Sequence, residues 1–352
     1  CSVCTAWPCK ASAVQSTTDV MPARILTLKH PGLFLLLSLV LLTTTLRADA
    51  TSGSDTPLQP YQRVAGISGN LSSIGSDTMA SLMLLWSQEF NRLYPNVNIQ
   101  LQAPGSSTAP VALIEGTASL APMSRPMLAS ERQAFERRYG YPPTAITVAV
   151  DALAIFVHRD NPAKGLNLQQ LDAMFSATRR CGTEARIDHW HQLGVGGQLG
   201  PQPLLLYGRN AVSGTYGFFR EQALCRGDFH SRVNEQPGSA SVVQSVATAL
   251  NAVGYSSINY KSASVRVLPL ARQGNDYIEP TAEAFVDGRY PLARPLHIYI
   301  NRPPGQPLSP LVREFLYLIL SREGQEMVLK EGYTPLPARA IARELRMIAD
   351  AD

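Results

Sequence analysis

Two hydrophobic periods alternate along this chain. Apolar residues at Met79, Leu82, Met83, Trp86, Phe90 and Leu93 recur with helical spacing, and Pro95 ends the run. Residues 97–101 then alternate apolar and polar as a strand does, while Gly69-Asn-Leu-Ser-Ser-Ile-Gly75 upstream reads as a short strand entering a turn. The unit is β-α-β. It recurs downstream: Gly105-Ser-Ser-Thr108 precedes a helical pattern over 109–115, residues 118–121 read as a short strand, and a charged helix starts at Ser130.

Residues 146–158 form one long apolar run broken mainly by Asp151. That length is unusual for an ordinary strand and predicts a connection passing from one lobe into another. A second crossing is expected at 296–300, after a loop-like stretch over 273–294. Between the crossings lie a strand at 204–207, a Gly/Ser turn, a helix at 218–224, and residues 241–250 followed by Val253-Gly-Tyr-Ser. A helix over 309–329 and Gly332-Tyr-Thr-Pro-Leu-Pro337 close the chain. The alternation predicts an α/β protein of two Rossmann-like lobes with mostly parallel sheets joined by two crossover hinge strands. Lobe I is expected over 64–154 and 276–352, and lobe II over 155–275. No solenoid-type repeat is visible.

The first residues change the picture of where folded structure starts. Met21 opens an export signal: basic Arg24 and Lys29, an apolar run over 33–42, and small residues at Ala48-Asp-Ala50. Residues 21–50 are read as a removable signal peptide and residues 1–20 as an upstream non-native extension. The apolar run is well short of the roughly twenty residues that span a bilayer. Residues 51–63, rich in Ser, Thr, Pro and Gly, are read as a flexible leader.

Of 352 residues, 45% are hydrophobic and 16% charged, which supplies a core and excludes a disordered chain. The 31 basic and 27 acidic residues are dispersed, with no basic block able to track a nucleic-acid backbone, and removal of residues 1–50 leaves 27 against 25. Three of five cysteines precede Met21; Cys181 and Cys225 remain, and an even pair in an exported chain suggests one disulfide, although two buried thiols fit the spacing too.

Four segments place hydroxyls where a strand gives way to a helix: Gly75-Ser-Asp-Thr-Met79, Gly105-Ser-Ser-Thr108, Met123-Ser-Arg-Pro126 and Ser213-Gly-Thr215. A helix N-terminus offers unpaired N–H groups and a positive dipole end, which suit a tetrahedral anion. Ser, Thr and Asp are also ordinary helix caps, so each turn alone has a structural reading. Arg209 alters the balance. Arg209-Asn-Ala-Val-Ser-Gly-Thr215 sets a fixed cation four residues before a turn that opens a helix, and its planar fork can hold two anion oxygens.

In the order and combination of these pieces, with the crossover Val148-Ala-Val-Asp-Ala-Leu-Ala-Ile-Phe-Val157 and the closing Gly-Tyr-Thr-Pro-Leu-Pro, the chain resembles the phosphate-binding component of bacterial ABC phosphate importers. That family lies within the class II periplasmic-binding-protein superfamily. The resemblance implies two lobes closing on an anion, with Thr78, Ser106 and Ser124 from the first and Arg209, Ser213, Gly214 and Thr215 from the second. Ser76, Met79, Ser107, Arg125 and Asp151 complete the expected ligand set; the backbone N–H groups of Met79, Gly214 and Thr215 would donate to phosphate oxygens.

The resemblance further implies a monomer without cofactor or enzymatic activity, located in the periplasm and delivering inorganic phosphate to the permease subunits of an ABC transporter. Where the best-known branch has an aspartate to accept the proton that phosphate carries, this chain has Ser124-Arg125. Asp151 is the preferred substitute acceptor and Asp77 the other; Asp151 could instead cap a helix or pair with Arg125. A receptor for sulfate, molybdate or a phosphonate, and a phosphate-sensing or surface-interaction protein, stay open on the same scaffold. His189-Trp-His191 lacks further ligands at a supporting spacing, so no metal site is expected, and no Gly-x-Ser-x-Gly elbow or nucleotide-binding loop occurs.

Overall fold

A computed structural model describes residues 57–349. The expected upstream extension, the export signal and the first part of the leader lie outside the described residues. Strands β1 (Gly69–Ile74) and β2 (Val97–Gln102) pair in parallel around helix α1 (Ala80–Leu93), which buries Leu82, Met83, Trp86 and Phe90 as its spacing dictates. A 3-10 turn, Ser106–Thr108, leads into α2 (Ala109–Ile114); β3 (Ala121–Met123) follows, joined to β1 through a parallel bridge between Ser73 and Leu120. The short strand thus lies at 121–123 and not at the expected 118–121, because the tight turn after α2 consumes residues 116–118. Helix α3 (Ala129–Tyr139) precedes β4 (Thr144–His158), the long crossing strand.

The second lobe holds β5 (Leu166–Asn167), α4 (Leu168–Phe175), β6 (Leu205–Arg209), α5 (Gly214–Ala223), β7 (Asn234–Gln236), α6 (Ser239–Val246), β8 (Ala252–Ser257), β9 (Val265–Leu268), β10 (Leu270–Ala271) and α7 (Ala282–Val286). Strand β11 (Ala293–Ile300) returns antiparallel to β4, and α8 (Pro310–Leu320), α9 (Arg322–Lys330) and α10 (Ala338–Ile348) complete the first lobe. The outer strands pair in parallel, β6 with β7 and β8, whereas both crossing strands run antiparallel to their neighbours. Helix 309–329 is two helices: Ser321 breaks it by capping α9, its Oγ accepting from Gly324 N–H at 3.2 Å.

Two apolar cores define the lobes. One gathers Leu71, Trp86, Phe90, Ile146, Val148, Leu296, Phe315 and Leu336; the other gathers Ala152, Leu153, Phe175, Trp190, Phe219, Tyr255, Phe285, Tyr290 and Leu292. The return boundary expected at 275/276 is therefore corrected. Residues 276–292 include a helix and stay with the second core, and the chain crosses back only along β11. Outward passage occurs at Asp151, between Ala149 of the first core and Ala152 of the second.

The leader is corrected too. Over 57–63 it is docked, not free: Leu58 and Tyr61 pack on the first core, Gln59 O accepts from Arg322 N at 2.9 Å, and Tyr61 Oη donates to Glu314 at 2.9 Å. Cys181 and Cys225 form a disulfide, with Cα atoms 5.4 Å apart, tying the loop after α4 to the end of α5.

Candidate functional site

The hydroxyl-bearing turns of the first lobe are tied together by their own backbone. Ser76 N donates to Pro122 O at 2.8 Å and Gly105 N to Gly75 O at 2.8 Å, which brings the ends of β1, β2 and β3 side by side. Ser106 and Ser124 then meet, Oγ to Oγ at 3.2 Å, and Ser124 N donates to Ser106 Oγ at 3.1 Å. From the second lobe, Ser213 caps α5 by accepting Thr215 N–H at 3.1 Å, so this amide of the expected anion donors is already engaged. Thr215 Oγ1 lies 3.1 Å from Thr78 Oγ1, one hydroxyl from each lobe.

Two glycines allow this approach. A Cβ on Gly214 would fall 2.3 Å from Ser106 Oγ and 2.5 Å from Ser124 Oγ. Gly105, at φ 141°, faces Val212 across the seam, where a Cβ would meet the Val212 carbonyl oxygen at 2.6 Å. Thr78, Ser106, Ser124, Ser213 and Thr215 are each at most 1% exposed. Five hydroxyls buried from bulk solvent need partners, and their protein partners are chiefly one another and backbone groups.

Two guanidinium groups flank them. Arg209, at the end of β6, is ion-paired to Asp77 at 2.6 Å and donates to Ser239 Oγ at 2.9 Å, Pro237 O at 2.9 Å and Gln236 O at 3.4 Å. Each of its three nitrogens thus has a protein partner, so the two-oxygen fork expected from the sequence is largely committed inside the protein. Arg294 is absent from the residues expected on sequence grounds, because it falls at the end of the loop-like stretch before the second crossing; β11 in fact begins one residue ahead of it, at Ala293. Its Nε and Nη2 reach Asp151 Oδ2 at 2.9 and 2.7 Å, and Nη2 also donates to Thr215 Oγ1 at 2.9 Å.

Asp151 is corrected as the preferred proton acceptor. Its other oxygen accepts from Ser257 Oγ at 2.6 Å, so both carboxylate oxygens are taken. Burial pushes this carboxyl up, against the pull of Arg294 and Ser257. Nor does it pair with Arg125, which holds Glu131 through two bonds of 2.6 and 2.8 Å and reaches Ser107 Oγ only at 3.5 Å. Ser107 N instead donates to Val212 O at 3.1 Å, across the seam. Ser76 lines a small cleft with Ala80, Met83 and Pro122, and its Oγ has no partner. Met79 buries its side chain in the first core and stands at the start of α1, where the amide lacks an intrahelical acceptor.

Two phenols stand near Thr78 and Asp77. Tyr333 Oη donates to Thr78 O, and burial raises it well above the usual phenol range. Burial, then the nearby Asp77 carboxylate, lifts Tyr260 to about 12. Asp77 keeps one buried oxygen, Oδ1, without a protein partner.

Two lobes, two crossing strands and a seam lined by buried hydroxyls and arginine define a two-lobed binding protein. The chain belongs to the PBP superfamily, whose domain model matches residues 60–323. It is 57% identical over 300 residues to the phosphate-binding protein PstS of Pseudomonas aeruginosa, covering 85% of this chain and 93% of that one. A structure from Clostridium perfringens, described as a candidate phosphate ABC transporter substrate-binding protein with bound phosphate, aligns at TM-score 0.64 and 26% identity over 76% of this chain and all of its own. An ABC-type phosphate transport receptor of Vibrio cholerae shares the fold, at TM-score 0.61 and 24% identity over 76% of this chain and all of its own.

Proposed function

We propose that this chain captures inorganic phosphate between its lobes and hands it to the permease subunits of an ABC importer, acting in the periplasm as a monomer and without bond chemistry or cofactor. The observation that carries this reading is the meeting of Thr78, Ser106 and Ser124 with Gly214 and Thr215 across the seam, beside Arg209. A ligand that accepts from both sides stabilises the closed arrangement, so capture is hinge closure. The relatives whose names specify phosphate support the choice of anion. Titration calorimetry of stripped protein at neutral pH tests it: micromolar or tighter phosphate binding is expected, and the absence of heat would overturn the reading.

Phosphate carries a proton near neutrality, and a site made only of donors would reject it. Asp77 fits the acceptor role because one carboxylate oxygen pairs with Arg209 while the other is buried and unpartnered. Asp77→Asn should weaken phosphate binding at least tenfold and narrow the gap between phosphate and sulfate in competition titrations. Equal competition by sulfate in the unmodified protein would instead favour a general oxyanion receptor, the reading that Ser124-Arg125 keeps in view.

A further inference from the structure

The Asp151–Arg294 pair stands at the hinge. Asp151 on β4 and Arg294 on β11 are direct cross-strand partners, at the point where both crossing strands leave one core for the other. Both side chains are fully buried, and Ser257 of β8 holds the second carboxylate oxygen. The pair is anchored on three strands. One N–H of Arg294 then extends to Thr215 Oγ1, at the first turn of α5.

We propose that Arg294 is a positioning residue for anion capture, fixing the Thr215 hydroxyl as a hydrogen-bond donor and tying that donor to the hinge. A guanidinium can only donate, so at this contact the hydroxyl oxygen must accept. The Thr215 proton is thereby turned away from Arg294, toward the seam where Thr78 Oγ1 lies at 3.1 Å. A hydroxyl whose oxygen already accepts from a cation is also the stronger donor, because hydrogen bonds in series polarise one another. Asp151 keeps the guanidinium in place: its bonds to Nε and Nη2 fix the plane and leave an Nη2 hydrogen for Thr215. Arg294 Nη1 is buried without a protein partner, so the guanidinium keeps one donor nitrogen that the protein does not consume.

This inference rests on the phosphate reading above, and the test separates the two. Phosphate affinity would be measured by calorimetry for the unmodified protein, Thr215→Val, the double variant Asp151→Asn with Arg294→Gln, and all three substitutions together. The double variant removes both buried charges at once, so neither is stranded. Ligand-free thermal melting checks that each variant folds. If the unmodified protein binds no phosphate, the functional reading fails before the inference is tested, and the same cycle is then run with sulfate as the probe.

With binding established, the expected result is at least a tenfold loss for Thr215→Val and for the double variant, and no more than a further twofold loss when they are combined. A role confined to bracing the hinge would make the losses multiply. Multiplying losses, or full affinity in the double variant, would overturn the proposal. If the double variant does not fold, Arg294→Lys against the Thr215→Val background gives the same reading, since lysine keeps the charge and loses the fixed fork.

Discussion

At the scale of single residues, the site depends as much on what is missing as on what is present. Gly214 contributes no side chain, and the serine hydroxyls of the opposite lobe occupy the space where one would start. Gly214→Ala must therefore push the lobes apart or displace Ser106 and Ser124. The expected outcome is a folded protein whose phosphate affinity falls at least tenfold, about 1.4 kcal/mol, by calorimetry. Gly105→Ala, against Val212 on the same seam, should behave alike. The hydroxyl turns and Arg209 are legible in the sequence because strand-to-helix turns have short, recognisable punctuation. Arg294 is not, since a lone arginine beside prolines and glycines looks like any loop residue until β11 pairs it with Asp151.

At the scale of elements, β11 carries a second testable feature. His297 is half-buried on this strand, beside Thr147, and desolvation pushes its imidazole down to about 4. Between about pH 4 and the ordinary histidine value the unfolded chain binds a proton that the folded one refuses. Stability from this group is therefore present above about 6.5 and lost as pH falls toward 4, by on the order of 3 kcal/mol. Denaturant melts at a series of pH values should show that slope, and His297→Gln should flatten it.

The disulfide acts on another element, clamping the C-terminal end of the helix whose first turn holds Ser213, Gly214 and Thr215. With a sequence separation of 44, the chain-entropy model gives about 4 kcal/mol for the cross-link. Replacing both Cys181 and Cys225 with serine should lower stability by up to that amount, with the loss read from urea melts. Helical and strand periods make most elements legible in the chain itself. The division of residues 309–329 into two helices is hidden there, because apolar spacing continues through Ser321 while the capping bond that breaks the helix depends on local geometry.

At the scale of the whole molecule, a ligand touching both lobes couples them. Phosphate at about one hundred times its dissociation constant should add about 2.7 kcal/mol of apparent stability. Calorimetric melting should show both lobes shifting together, and a shift confined to one transition would place the ligand on a single lobe. Most of the strands and helices flanking the site, the hydroxyl turns, Arg209 and the long crossing run were determined by the sequence alone, because period, punctuation and residue chemistry are local properties. Tertiary structure decided which lobe residues 276–292 join, that residues 57–63 dock, and which carboxylate each arginine holds. Asp151 went to Arg294, Asp77 to Arg209 and Glu131 to Arg125. Ion pairs between distant segments depend on which side chains the fold brings within a few ångströms in a water-free interior, and separation along the chain carries no record of that distance.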